Sequence, residues 1–243
     1  MRVLSTVKFT VLRMARNYIV LLLLLVIPII LITIFSFILS ESVTETGVPY
    51  HYQNALTMVL VFQLFAGAIV MYLIDHDLFK ENRMRIYTLP FNQRMYAFSI
   101  MICGAGYSIL LGVLLMIYTQ FVLGIIWANW AWMIYIISLM AILSIIVCLI
   151  FTFSVKKYKI AERLSELYGV GFVVLAGLFF PMPENIFFDF FGTYGNPLTL
   201  SIMSINEMGQ SNTGKAWFQA NILLVAIVLL FIVMLNLGRR RKL

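Results

Sequence analysis

Charge is what this sequence has least of. Only 11% of its 243 residues are Asp, Glu, Lys or Arg, 63% are hydrophobic, and mean hydropathy is +1.00. Soluble domains carry about 25% charged and 45–50% apolar residues, so a water-soluble globular protein is excluded. Disorder, which needs few apolar residues and high net charge, is excluded as well. Cysteine is almost absent: Cys103 and Cys148 both lie inside apolar runs, which rules out a disulfide framework. The two histidines, His51 and His76, flank one apolar run at opposite ends, so neither reaches a nucleophile at membrane depth. Ser108, in Gly106-Tyr107-Ser108-Ile109, lacks the closing glycine of a nucleophile elbow and reads as packing. Asp75-His76-Asp77 contains metal-ligand types, but three adjacent side chains on a helix end diverge, and the expected role is a solvated terminus. Gly209–Lys215 matches seven positions of a phosphate loop, then continues with Ala216 where the magnesium-binding hydroxyl belongs; it reads as a surface loop.

Long apolar runs are what the sequence does have. A bilayer core of about 30 Å takes roughly 20 apolar residues of helix. Six stretches come near this: Tyr18–Ser40, Gln53–Ile74, Ala97–Ile126, Ala131–Val155, the short Leu167–Phe180, and Phe218–Leu237. None alternates like a barrel strand, so helices are expected. As drawn they contain no Asp, Glu, Lys or Arg. Intramembrane charge marks proton relays and ion-coupled transport, so its absence argues against a proton-coupled carrier.

The basic residues orient the runs. Arg2, Lys8, Arg13 and Arg16 precede the first; Lys80, Arg83, Arg85 and Arg94 follow the second. Lys156, Lys157, Lys159 and Arg163 follow the fourth, and Arg239–Lys242 close the chain. Six crossings put all four clusters, 16 of the 17 basic residues, on one side, leaving Lys215 opposite. The positive-inside rule then makes both termini cytoplasmic and the net charge of +7 an orientation signal rather than a nucleic-acid footprint. The loops 75–96 and 156–166 are cytoplasmic in this reading, and 41–52 and 181–217 face outward. No cleavable signal is expected, because the first run is a full span behind a long polar head.

Shorter patterns fill in the rest. Val3, Leu4, Val7, Val11 and Met14 recur at helical spacing between basic residues, which predicts an amphipathic helix over 1–17 lying on the inner surface. In 181–217, two apolar patches follow Pro183 and Pro197, each too short to span. They predict a re-entrant pair of outer helices before the last run. Gly104, Ser108 and Gly112 form a small-residue stripe that lets helices approach closely. Leu60, Gln63, Gly67 and Met71 share a face, and the Gln63 amide requires protein or a cavity beside it. Pro28 is expected to kink the first run. Thr33, Ser36 and Gln63 are the polar groups that an apolar path offers to a partly buried amphipathic ligand. The fold class is thus an all-α integral membrane protein forming one domain over 1–243.

Taken in order, these features resemble the type-2 permeases of ATP-binding-cassette exporters. The basic head is similar. So is the charged segment Phe79–Tyr96 with Leu89-Pro90 near its end, although Asn82–Arg85 stands where the family often carries a Gly-Thr pair. Gly177-Leu-Phe-Phe-Pro181 followed by Gly195-Asn-Pro-Leu198 resembles the family's outer re-entrant region, and the last run ends in a basic tail. The resemblance implies a non-catalytic subunit that pairs with a second permease and docks a cytosolic ATPase dimer, where ATP and magnesium would bind; no cofactor is expected in this chain. The charged stretch with Lys80, Glu81, Arg83 and Arg85, closed by Leu89-Pro90, is the expected contact for such an ATPase, and Lys156–Glu166, with Lys159–Glu162 and Arg163–Glu166 at helical spacing, offers Glu162 and Arg163 as a second. The short outer connections look like those of compact members that export hydrophobic or amphipathic peptides, including lantibiotic-immunity and phenol-soluble-modulin exporters. The competing classes are a membrane-embedded enzyme or protease and an ATP-independent channel.

Overall fold

A computed structural model describes residues 10–14, 16–38, 49–80, 82–84, 93–178 and 185–240. Every regular element among them is helical. Four helices are long and apolar enough to cross a membrane: Tyr50–Phe79, Met95–Leu123, Trp130–Ser154 and Thr213–Arg240. The described residues are therefore all-helical, with the helices of a membrane protein. The first run is a shorter apolar helix, made of α1 (Tyr18–Leu21), a π turn (Leu22–Val26) and α2 (Ile27–Ile38). Pro28 explains the turn. It has no N–H to donate, and just before it the Ile27 N–H bonds to the Leu22 carbonyl five residues back. Of the N-terminal surface helix, 10–14 are helical, with Met14 buried and Val11 and Leu12 exposed; residues 1–9 and 15 lie outside the described residues.

The second long helix is not uniform. It comprises α3 (Tyr50–Gln63), an irregular turn over 64–67, α4 (Ala68–Ile74) and a π turn (Asp75–Phe79). In the irregular turn the Leu64, Phe65 and Ala66 N–H groups bond only three residues back. Ser144 of α6 (Trp130–Ser154) fills the gap, donating to the Leu64 carbonyl at 2.6 Å and accepting from the Gly67 N–H at 3.0 Å. A side chain inserted into the helical ladder is a known cause of such breaks. Only glycine fits at 67, because a Cβ there would lie 2.5 Å from the Ser144 carbonyl oxygen and 2.6 Å from Cys148 Sγ.

The small-residue stripe of α5 (Gln93–Leu123) meets the same helix. A Cβ on Gly104 would collide with Val70, and one on Gly112 would sit 2.6 Å from Gln63 Nε2. Lipid tails are as apolar as leucine, so such close packing, rather than water exclusion, holds these helices together. Tyr50–Phe79 and α6 are mostly buried, whereas α10 (Thr213–Arg240) presents most of its surface outward.

The fifth run differs from its expected form. The connection 156–166, whose Lys159–Glu162 and Arg163–Glu166 stand at helical spacing, is helical from Tyr158 onward and continuous with the fifth run: α7 (Tyr158–Leu175) begins with a charged turn and becomes apolar only after Glu166. Arg163 and Glu166, three residues apart, pair at 2.7 Å and hold that turn. The outer segment contains α8 (Ile186–Phe190), a π turn (Phe191–Gly195) and α9 (Pro197–Gly209). Pro197 opens α9, and Asn196 caps it by accepting from the Leu198 N–H at 3.0 Å. Leu198, Leu200 and Ile205 are buried, and α9 packs chiefly on α10. Pro183 lies outside the described residues. Gly209–Lys215 is the end of α9, a turn with Ser211 at φ 64°, and the start of α10, as a surface loop should be.

Candidate functional site

The four basic segments converge by observed contacts. Arg13 of the head pairs with Asp77 at the end of the second long helix. Lys80 lies 4.7 Å from the ring centre of Tyr158 at the start of α7. Arg239 lines a cavity with Ile74 and Ala97. All these residues therefore occupy one end of the helix bundle. At the other end, Trp132 packs on Trp217 with ring centres 4.8 Å apart, and Trp127 packs on Tyr52. Trp130 donates to Gln120 there at 2.7 Å. All four tryptophans thus gather opposite the four basic segments, as amphipathic rings do at a membrane boundary.

The basic end is built around Asp77. Its carboxylate is 1% exposed, contrary to the solvated terminus expected for Asp75-His76-Asp77. The reason is local. The helix runs through the π turn to Phe79, beyond the Ile74 end expected from charge, and carries both aspartates inward. Past Phe79 the Asn82 N–H reaches back to the His76 carbonyl at 3.3 Å. Four donor contacts then meet Asp77. Arg13 Nη1 donates to Oδ1 at 2.9 Å and to Oδ2 at 2.7 Å, Asn82 Nδ2 to Oδ1 at 2.9 Å, and the Tyr96 hydroxyl to Oδ2 at 2.7 Å. Burial alone lowers the pKa of the Arg13 guanidinium, but hydrogen bonding and the charge of Asp77 outweigh it, and the pKa is raised. One carboxylate thereby fastens the head, the second long helix and the start of α5.

Asp75 makes a parallel connection. It accepts from Lys80 Nζ at 2.7 Å, and the same ammonium covers Tyr158. Tyr72 stacks on His76 at 5.8 Å and meets Tyr158 edge-on, which ties α7 to the same end. Beneath these rings Met71, Cys148 and Ala161 are buried together. Around the neutralised aspartates, Arg83, Lys156, Lys157 and Lys159 are exposed.

Of the residues expected to contact an ATPase, Lys80 belongs to this cluster, Arg83 is exposed beside it, and Glu162 and Arg163 lie on the first turns of α7. Glu81 and Arg85 lie outside the described residues. The three path residues are separately placed. Thr33 is hydrogen-bonded to the Ile29 carbonyl and the Tyr118 hydroxyl, and Ser36 is half-buried on α2. Gln63 is buried against α5, donating to the Ser108 carbonyl at 3.4 Å, while its Oε1 has no partner among the described residues. Asp77, Tyr96 and Arg13 are not legible as a unit in the sequence. A carboxylate between a run's end and a basic cluster is the available signal, but its partners are 64 and 19 residues away along the chain.

Among the described residues, no three His, Cys, Asp or Glu side chains gather as a metal site. Comparison with family models, with curated proteins and with solved structures finds no match to this chain.

Proposed function

We propose that this chain is the permease subunit of an ATP-driven exporter, moving hydrophobic or amphipathic molecules, chiefly peptides, with energy from a separate cytosolic ATPase dimer. In this reading α1–α2 and α7 join the four long helices to make six crossings, with both termini cytoplasmic. The outer pair α8 and α9 dips back into the outer leaflet to complete the short fifth crossing. A second permease, the same chain or a related one, completes the pore. ATP and magnesium bind on the partner, and the chain itself carries out no catalysis.

The observation that carries the proposal is the Asp77 cluster. It links the head, the second long helix and α5 through one buried carboxylate, and the adjoining Asp75–Lys80–Tyr158 contact adds α7. A force applied by a soluble partner to the exposed charges of this end would reach all of them together. Charges of both signs on a rigid platform also suit steered docking of such a partner. Purifying the full chain from its native membrane tests the reading. An ATP-binding-cassette ATPase should co-elute, with hydrolysis stimulated by amphipathic peptides. A chain that alone cleaves a peptide or lipid, or conducts without ATP, would remove it.

A further inference from the structure

Between α4, α5, α6 and α10, at the basic end, opens a cavity of about 210 Å³ lined by Ile74, Ala97, Phe98, Met101, Phe153 and Arg239, among others. Met101 is shared with a second cavity of about 380 Å³, walled by Ile102, Ala105, Gly106, Ile109 and Ile142. The two follow one another along α5. From Ala97 to Ile109 the helix rises about 18 Å at 1.5 Å per residue, somewhat more than half of a hydrocarbon core about 30 Å thick. Gly106 faces open space, with nothing within 4 Å of where its Cβ would be.

The polarity of this slot is one-sided. Arg239 is the single charged group among the described lining residues, and it stands at the end of α10, where that helix leaves the apolar zone. Among those same residues no carboxylate lines either cavity. A cation at the mouth and only apolar walls beyond it complement an amphiphile with an anionic head and a hydrocarbon tail. We infer that the slot holds an acyl chain of an anionic phospholipid of the adjoining leaflet, with its phosphate against Arg239. Its tail lies along α5 and α6 and starts at the level of Tyr96, which bonds to Asp77. The site requires only that these helices cross the bilayer, and it stands whether or not the chain exports anything.

Native mass spectrometry of the full chain in uncharged detergent, with phosphatidylglycerol and phosphatidylcholine as probes, tests this. The wild type should retain phosphatidylglycerol over phosphatidylcholine. Arg239→Gln should reduce that retention about fivefold, the effect of one cation near an anionic lipid surface. Arg239→Lys should restore most of it, and Arg240→Gln, one residue away and outside the lining, should change little. Gly106→Leu projects into open space, so it should leave the fold intact by circular dichroism and displace the bound lipid roughly tenfold or more, since each methylene burial lost matters several-fold. Equal retention of the two lipids overturns the proposal. So does equal loss in Arg239→Gln and Arg240→Gln, which means diffuse attraction, or full retention in Gly106→Leu. A Gly106→Leu chain that changes from dimer to monomer in the same spectra overturns it too, because the slot then holds a second copy.

Discussion

Replacing Asp77 by Asn tests whether the carboxylate holds three segments together. Asparagine keeps the shape but puts an NH2 group where one oxygen accepted hydrogen bonds. Whichever way the amide turns, its NH2 group faces an Arg13 N–H, and the Tyr96 hydroxyl or the Asn82 amide on that side must turn from donating to accepting. A hydrogen bond to a charged group contributes about 1.5–3 kcal/mol. The Arg13 side chain is 39% exposed and can rehydrate, so its share falls toward the 0–1 kcal/mol typical of exposed pairs, roughly. The expected loss for Asp77→Asn is about 2–4 kcal/mol of unfolding stability, chiefly from the Tyr96 or Asn82 bond and the buried polar groups left mismatched. The assay is reversible unfolding in mixed micelles, followed by circular dichroism. A double-mutant cycle with Tyr96→Phe sharpens it. Tyr96→Phe alone should cost about 1.5–3 kcal/mol in the wild type and much less in the Asp77→Asn background, so that the two changes couple by at least about 1 kcal/mol. Additivity within about 0.5 kcal/mol, or an Asp77→Asn protein as stable as the wild type, refutes the linkage.

Four other outcomes are expected. Ser144→Ala should cost about 1–3 kcal/mol in the same unfolding assay, because the Leu64 carbonyl and the Gly67 N–H lose the hydroxyl that serves both. Gly67→Ala should cost a similar amount, about 1–3 kcal/mol from overpacking, since the obstruction includes backbone; a neutral result in both would mean that the helix break does not depend on this contact. For orientation, an impermeant thiol reagent applied to intact cells should modify a cysteine at 212 and spare one at 85, in a background lacking Cys103 and Cys148; the reverse pattern overturns the topology. Glu81→Lys should leave insertion intact, since acidic residues contribute little to topology, yet weaken ATPase association, with raised salt producing part of the same defect; normal binding and export would leave orientation as that segment's supported role.

What is readable in the sequence is what depends on neighbours along one helix. Apolar length places α6 within a residue at each end, Ala131–Val155 against the observed Trp130–Ser154. The four-residue spacing of Gly104, Ser108 and Gly112 identifies a close contact, and the Gln63 amide, which needs protein beside it, meets Ser108 and Gly112. Proline at 197 announces a helix start. Contacts closed by distant residues leave no periodic trace. The break at 64–67 contains neither proline nor a charged residue, and its cause is a hydroxyl 77–80 positions further along the chain. Asp77 poses the same problem in electrostatic form. Charge marks it as the end of a run, because an isolated carboxylate in hydrocarbon is prohibitive. Arg13, Asn82 and Tyr96 lift that prohibition, and the helix continues inward by one π turn. In 156–166 the helical spacing of Lys159–Glu162 and Arg163–Glu166 is legible, but not that this charged stretch and the apolar run after it form one helix: at a membrane surface a charged turn such as Arg163–Glu166 is how an apolar helix begins. In a protein this poor in charge, the charged residues mark where helices meet one another as well as where they leave the membrane. The Asp77 cluster is such a meeting point, so separating its two roles requires changing its hydrogen bonding while the one-sided distribution of cations is kept.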